Sequence, residues 1–293
     1  MTKHKHLYSI DYFLFIFPAL LFFTVFFLIP VFNGICYSFV RWNGLSQTKV
    51  FVGIDNYKRI FSDEIFLSSF GNTIKFTIYH VIAINILSLF LALLLTRQVL
   101  HGRFFFRGVF FLPNVLSLIV VGQIWKFILG QASFELGKKT GLWLFSIGWL
   151  SNPKVALYST IIASIWQAAG WYMMIYIAGI LAIPSSLFEA ATLDGAGSGY
   201  VFRHITFPLI IPSLTICLFL STINSLRVFD IVYAMTGGGP GHATETALLN
   251  IYNTTFNSLQ YGYGTAKAII LLGIIVIVSF GQLILLKRKE VAL

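Results

Sequence analysis

The sequence predicts an all-α polytopic membrane protein with six transmembrane helices and both termini in the cytoplasm. Three observations lead there. Of 293 residues, 57% are hydrophobic and only 10% are charged, whereas soluble domains carry about a quarter charged residues. Apolar runs long enough to cross a hydrocarbon core occur at about residues 12–32, 72–96, 106–129, 155–181, 207–229 and 266–286, each near or above the roughly 17 residues that a spanning helix needs. Lys and Arg favour the loops on one side, nine against seven, although the opposite loops hold nearly twice as many residues. The richer side is the cytoplasmic one. The chain, 1–293, reads as a single membrane domain.

Composition also excludes several classes. The net charge of +10 is spread over loop ends rather than gathered on one aromatic-bearing surface, so no nucleic-acid partner is expected. Cys36 and Cys217 lie in or beside apolar runs, with no disulfide framework and no metal-ligand spacing, and packing is their expected role. No phosphate-cradling loop is present, because Gly237–Gly239 run into Pro240 rather than Lys-Ser/Thr. The chain therefore carries no motif for ATP hydrolysis, no catalytic group, no metal site and no cofactor. Among the His residues only His80 falls in a span, which leaves an intramembrane enzyme without a paired nucleophile and base. A carrier built from repeats would show matching broken helices in two halves, and none is evident.

Taken in order, residues 1–11 are short and basic. The run from Tyr12 to Phe32 is expected to be an uncleaved anchor rather than a signal peptide, being too long for a signal-peptide core and lacking a small-residue cleavage site. Residues 33–71 are mixed and polar, with Asn43-Gly44 and Gly53-Ile54-Asp55-Asn56-Tyr57. After the second run, Arg97, Arg103 and Arg107 bracket a short turn at His101-Gly102. The third run is entered through Leu112-Pro113, a loop covers 130–154, and the fourth run follows. The glycine-rich segment Thr236–Gly241 opens the last long loop, and Lys287-Arg288-Lys289 end the sixth run.

Between the fourth and fifth runs, residues 183–206 form a polar island that reads as helix, glycine turn, helix. Ser186 and Glu189 have capping-box spacing, and Gly195 stands where a left-handed residue would stop the first helix. Ser198 suits the cap of a second short helix, which Pro208 hands to the fifth run. Glu189-Ala190-Ala191, then three residues and Gly195, then nine more and Ile205 with Pro208, closely resemble the Glu-Ala-Ala loop of importer-type ABC transporter permeases. The one departure is Phe207, where Leu is usual. The resemblance implies that this loop, Asp194 included, faces the cytoplasm and docks into a cleft of a separate ATPase subunit. The small Ala190, Ala191 and Gly195 leave room for a close partner.

Other stretches resemble the carbohydrate-importing branch, which includes maltose and glycerol-3-phosphate permeases. These are Gly53–Phe61, Asn72-Thr73, Phe110–Pro113 with Trp125, Trp166–Gly170, and Phe229-Asp230 leading to Thr236–Pro240. The resemblance implies a type I importer permease in the inner (cytoplasmic) membrane, embedded in lipid. It also implies one half of a heterodimer with a second permease, two copies of an ATPase, and an extracytoplasmic solute-binding protein. The cargo implied is a sugar, oligosaccharide or sugar derivative. An importer permease for a polyamine, phosphate or amino acid is the alternative.

In maltose-type relatives the substrate contacts come from the spans flanking this loop. The matching residues here are Trp166, Gln167 and Trp171, with Ser221, Asn224, Ser225, Arg227 and Val228. Ser221, Asn224, Ser225 and Val228 share one helical face. Polar groups at that depth line a cavity or bond across helices, and both readings stay open. The Trp rings suit either sugar stacking or interface anchoring. Lys126 and Lys267 are expected to snorkel to headgroups. Arg227 and Asp230, three apart, are expected to pair on one face, unless Arg227 meets an acidic cargo.

Overall fold

The computed structural model describes residues 3–97 and 101–287, so Arg288 and Lys289 of the basic end lie outside the described residues. Its helices are α1 (Phe13–Ser38), α2 (Asp55–Ile60), α3 (Glu64–Thr96), α4 (Arg103–Val115), α5 (Leu118–Thr140), α6 (Ala156–Leu181), α7 (Ser185–Leu193), α8 (Ser198–Leu209), α9 (Ile211–Leu226), α10 (Asp230–Met235), α11 (Ala247–Tyr252) and α12 (Tyr261–Lys287). A short antiparallel hairpin, β1 (Val40–Arg41) and β2 (Val50–Phe51), pairs Val40 with Phe51 and Arg41 with Val50. Four helices, α1, α3, α6 and α12, are long and apolar enough to cross a membrane. The bent pairs α4–α5 and α8–α9 raise that to six if each pair is one span.

The two bends revise the straight runs expected at 106–129 and 207–229. Between Val115 and Leu118 the axis turns by 96°. Leu116 is extended there, and Ser117 caps α5 by accepting the Val120 N–H at 3.4 Å. Pro113, just before the break, has no N–H to give and weakens the helix at that point. Between Leu209 and Ile211 the turn is 65°. Pro208 and Pro212 flank Ile210, so two successive turns each lack a ladder hydrogen bond. Apolar composition runs straight through both breaks, which is why hydropathy reads each as one span.

The chain divides into two compact units, residues 1–63 with 251–272, and residues 64–250 with 273–293. In the first, α2 and the loop before it clip the end of α1 to β1. The Asn56 amide donates to the carbonyls of Ser38 (2.8 Å) and Val40 (3.0 Å), and the Tyr57 and Ser38 hydroxyls meet at 2.7 Å. The stretch Gly53–Phe61 therefore has a structural task. Gly262 of α12 lies so close to the Val40 carbonyl that a Cβ there would collide with it. Lys267 does not snorkel. It is 2% exposed, paired with Asp63 at 2.9 Å and bonded to Thr254 at 3.0 Å, because its position on α12 faces the unit's interior.

The second unit is built on α3, α6 and α9. Ile84, Leu91, Leu95, Tyr172, Met173, Tyr176 and Cys217 form its buried centre, which gives Cys217 its packing role. Gly170 lets α6 approach the end of α4, since a Cβ there would strike the Phe110 carbonyl. Several polar groups inside this layer are satisfied across helices. Ser88 donates to the Ala169 carbonyl at 2.9 Å, and Tyr176 donates to Asn85 Oδ1 at 2.7 Å. In a membrane core such pairing is the condition for carrying polar side chains at all.

Candidate functional site: a polar cavity and an exposed loop

Bending at residues 115–118 leaves a space in the second unit that no continuous helix fills. A cavity of about 410 Å³ opens there. Its walls include Phe76 and His80 of α3, Gln167, Trp171 and Tyr172 of α6, Asn114 and Leu118 on either side of the break, and Asn224, Ser225 and Arg227–Ile231 where α9 gives way to α10. Gln167 Nε2 donates to the Leu116 carbonyl at 3.3 Å, a group left unpaired by the break. Asn224 Nδ2 donates to the Tyr172 hydroxyl at 3.3 Å.

His80 is fixed by two serines. Ser225 gives its single proton to the Ser221 carbonyl at 2.7 Å, so at 2.8 Å it accepts from His80 Nδ1–H. Nε2, 3.2 Å from Ser164, is then left as the acceptor of that hydroxyl proton. The ring is a neutral cross-brace between α3, α6 and α9 at the cavity wall.

Of the residues singled out in the sequence, Gln167, Trp171, Asn224, Ser225, Arg227 and Val228 line this cavity together. Two do not. Ser221 accepts from Asn85 Nδ2 at 3.0 Å inside the helix layer, so its expected place on a shared face resolves as a cross-helix bond. Trp166 sits edge-to-face on Trp125, ring centres 5.8 Å apart, and is 43% exposed away from the cavity wall. The expected Arg227–Asp230 pair also fails. α9 ends at Leu226, Arg227 is its cap, and the chain turns at Phe229, so the spacing that would align them on one helix is lost. Among the described residues Arg227 has no ion-pair partner, and it faces the cavity exposed. His80, Asn114 and Tyr172 were missed. A histidine alone in an apolar run and an asparagine directly after a mid-span proline were the available signals.

The loop 183–206 is exposed. α7 stops in a Schellman turn, with Ala196 N–H on the Ala191 carbonyl (2.9 Å), Gly195 N–H on Thr192 (3.1 Å), and Gly195 at φ +71°. That confirms the glycine stop. Neither serine cap forms. α7 begins one residue before Ser186, after Pro184, and α8 begins at Ser198 itself, so both serines lie inside the first turn. Glu189 consequently makes no hydrogen bond or ion pair among the described residues, and it is exposed with Ala190, Asp194 and Gly195. Ala191 is buried, while Ile205 and Pro208 are half-buried on α8. Leu193, 89% exposed, and Tyr200, 60% exposed, add apolar surface that the sequence motif does not mention.

A helical membrane protein with a polar cavity among its spans and an exposed helix–turn–helix between two of them has the parts that a transport permease needs. Residues 84–291 match the family of binding-protein-dependent transport system inner membrane components. The chain belongs to that family, the multi-pass inner-membrane permeases of ABC importers. It is 40% identical over 97% of its length to a probable starch degradation products transport permease of Thermoanaerobacterium thermosulfurigenes, covering 96% of that protein. It is 35% identical to a multiple sugar-binding transport permease of Streptococcus mutans, covering 92% of each chain. In fold it resembles a chain of a bacterial ABC transporter that imports the acidic polysaccharide alginate, with a TM-score of 0.81, 21% identity and 96% of each chain covered.

Proposed function

We propose that this chain is the permease subunit that carries a sugar or oligosaccharide inward, with the 410 Å³ cavity as part of the cargo path. The supporting observation is the wall itself. Gln167 and Asn224 offer amides, Tyr172 a hydroxyl, and Trp171 and Phe76 flat apolar surface. Many modest hydrogen bonds beside an aromatic plane suit a hydroxyl-rich ring. The names of the sugar-permease relatives point the same way.

In this reading both termini and the loop 183–206 face the cytoplasm, and the loop docks on an ATPase through Glu189, Leu193 and Tyr200. A second permease, two copies of the ATPase and an extracytoplasmic solute-binding protein complete the assembly. ATPase closure moves the loop as a rigid body and turns the cavity outward. The test is uptake of a panel of neutral and acidic saccharides by transporters with Asn224→Ala or Arg227→Gln. Asn224→Ala is expected to lower uptake about threefold to tenfold, the worth of one net hydrogen bond. Arg227→Gln is expected to act on acidic cargo alone. Unchanged uptake of every saccharide by both variants would remove the cavity from the path.

A further inference from the structure

The first unit holds a separate polar cavity of about 430 Å³, which shares no residue with the one above. The hairpin β1–β2, helix α2 and the start of α12 form its walls. Three features make it a prepared site rather than a surface dent. Asn56 lines it and is 8% exposed, with both amide protons spent on the carbonyls of Ser38 and Val40. Its carboxamide oxygen accepts nothing from the described residues. That oxygen is open to the cavity, where a ligand hydroxyl can donate to it.

The second feature is Arg59. It donates to Gln260 Oε1 at 2.9 Å, and its guanidinium lies over the Tyr263 ring at 4.1 Å. Those contacts hold the guanidinium in place while leaving other N–H groups unused, so it is set in position before any ligand arrives. The third is Arg41 on β1, which lines the same cavity, is exposed, and has no hydrogen-bond or ion-pair partner among the described residues. Trp42, beside it, supplies an aromatic wall.

Asp55 also lines the cavity, its charge met by Lys58 at 3.6 Å, so an open acceptor, two guanidinium groups and an indole are left to select the ligand. The acceptor wants a hydroxyl, and the guanidinium pair wants a carboxylate or phosphate held by charge-assisted bonds. Simple inorganic anions meet only the second demand, and neutral sugars only the first. We propose that this cavity is a second carbohydrate site, selective for a hydroxylated ring that carries one anionic group. The proposal builds on the sugar-import reading, and it gives acidic saccharides a binding place apart from the main cavity.

The experiment is calorimetric titration of the complete transporter in lipid nanodiscs with glucuronate, with glucose and with inorganic phosphate. Glucuronate is expected to bind the wild type more tightly than glucose or phosphate. Arg41→Gln, which leaves the backbone pairing with Val50 in place and removes a side chain bonded to nothing else described, should weaken glucuronate about tenfold or more, as loss of a charge-assisted bond does. Arg41→Lys should restore part of it. Asn224→Ala should lower uptake through the main cavity and leave this binding intact. Equal binding of glucose and glucuronate, or glucuronate binding indifferent to Arg41→Gln, would overturn the proposal. So would an Arg41→Gln effect confined to docking of the solute-binding protein, which would make the cavity a protein contact. If saccharides are transported but none binds here, this site alone fails. If no saccharide is transported at all, the sugar reading fails first.

Discussion

Lys267 and Asp63 show how far a single side chain can depart from its pattern. A lysine near the end of an apolar run reads as a snorkelling anchor, yet this one is 2% exposed and ion-paired at 2.9 Å. Removing one partner of such a buried pair strands the other charge and costs about 3–5 kcal/mol. Lys267→Met is therefore expected to lower the thermal midpoint of the purified protein steeply, and Asp63→Asn added to it should recover much of the loss. A double variant no better than the single would show that the pair is not coupled. At Gly170 the constraint is space. Gly170→Leu would drive a side chain into the Phe110 carbonyl, and overpacking of this kind costs about 1–3 kcal/mol. The check is the yield of folded protein in detergent, with Gly71→Leu, where nothing lies within 4 Å of the added Cβ, as the control. Neither the lysine's partner nor the close approach at Gly170 was legible in the sequence, because both depend on residues far away in the chain.

Elements were legible where composition and local turn chemistry agree. Gly195 was readable as a helix stop, and it sits at φ +71° in a Schellman turn. The serine caps were not, because Pro184 caps the first helix two positions, and Gly197 the second one position, earlier than the capping spacing suggests. That error has a functional consequence, since a Glu189 free of its own cap is available to a partner. Glu189→Ala should leave the helices intact and uncouple ATP hydrolysis from uptake, read as ATPase activity that no longer rises with cargo. Gly195→Val should do so more severely, because a β-branched residue at positive φ costs about 1–3 kcal/mol. Full coupled uptake by both would end the docking role. The breaks at Leu116 and Ile210 were hidden because apolar composition continues through them, although Pro113 precedes the first and Pro208 and Pro212 flank the second. Of the cavity that the first break opens, six of the eight residues named from sequence line the wall, and the histidine that braces it was passed over.

For the whole molecule, the six apolar runs, the loop between the fourth and fifth, and the transport class were all legible, since bilayer thickness and motif spacing are one-dimensional facts. The division into two units was not, because it joins residues 1–63 to 251–272. Sidedness rests on loop basicity, and it makes a direct prediction. In a variant lacking Cys36 and Cys217, cysteines at Leu45, 77% exposed, and Tyr200, 60% exposed, should react with a membrane-impermeant reagent from opposite faces of the membrane. Labelling of both from the same face in intact cells would overturn the orientation.

The clasp between the two ends of the first unit also sets a timetable for biogenesis. Tyr263 bonds Asp63 across 200 residues, and Arg59 bonds Gln260 across 201. Synthesis runs at about 5–20 residues per second, so Asp63 waits roughly 10 to 40 s after leaving the ribosome before its lysine and tyrosine exist. Throughout that interval α1 and its hairpin are an unfinished fragment, with the Asp63 carboxylate still lacking its lysine. A nascent chain stalled before residue 260 should thus be the form most readily seized by membrane proteases, and release past residue 270 should end that vulnerability.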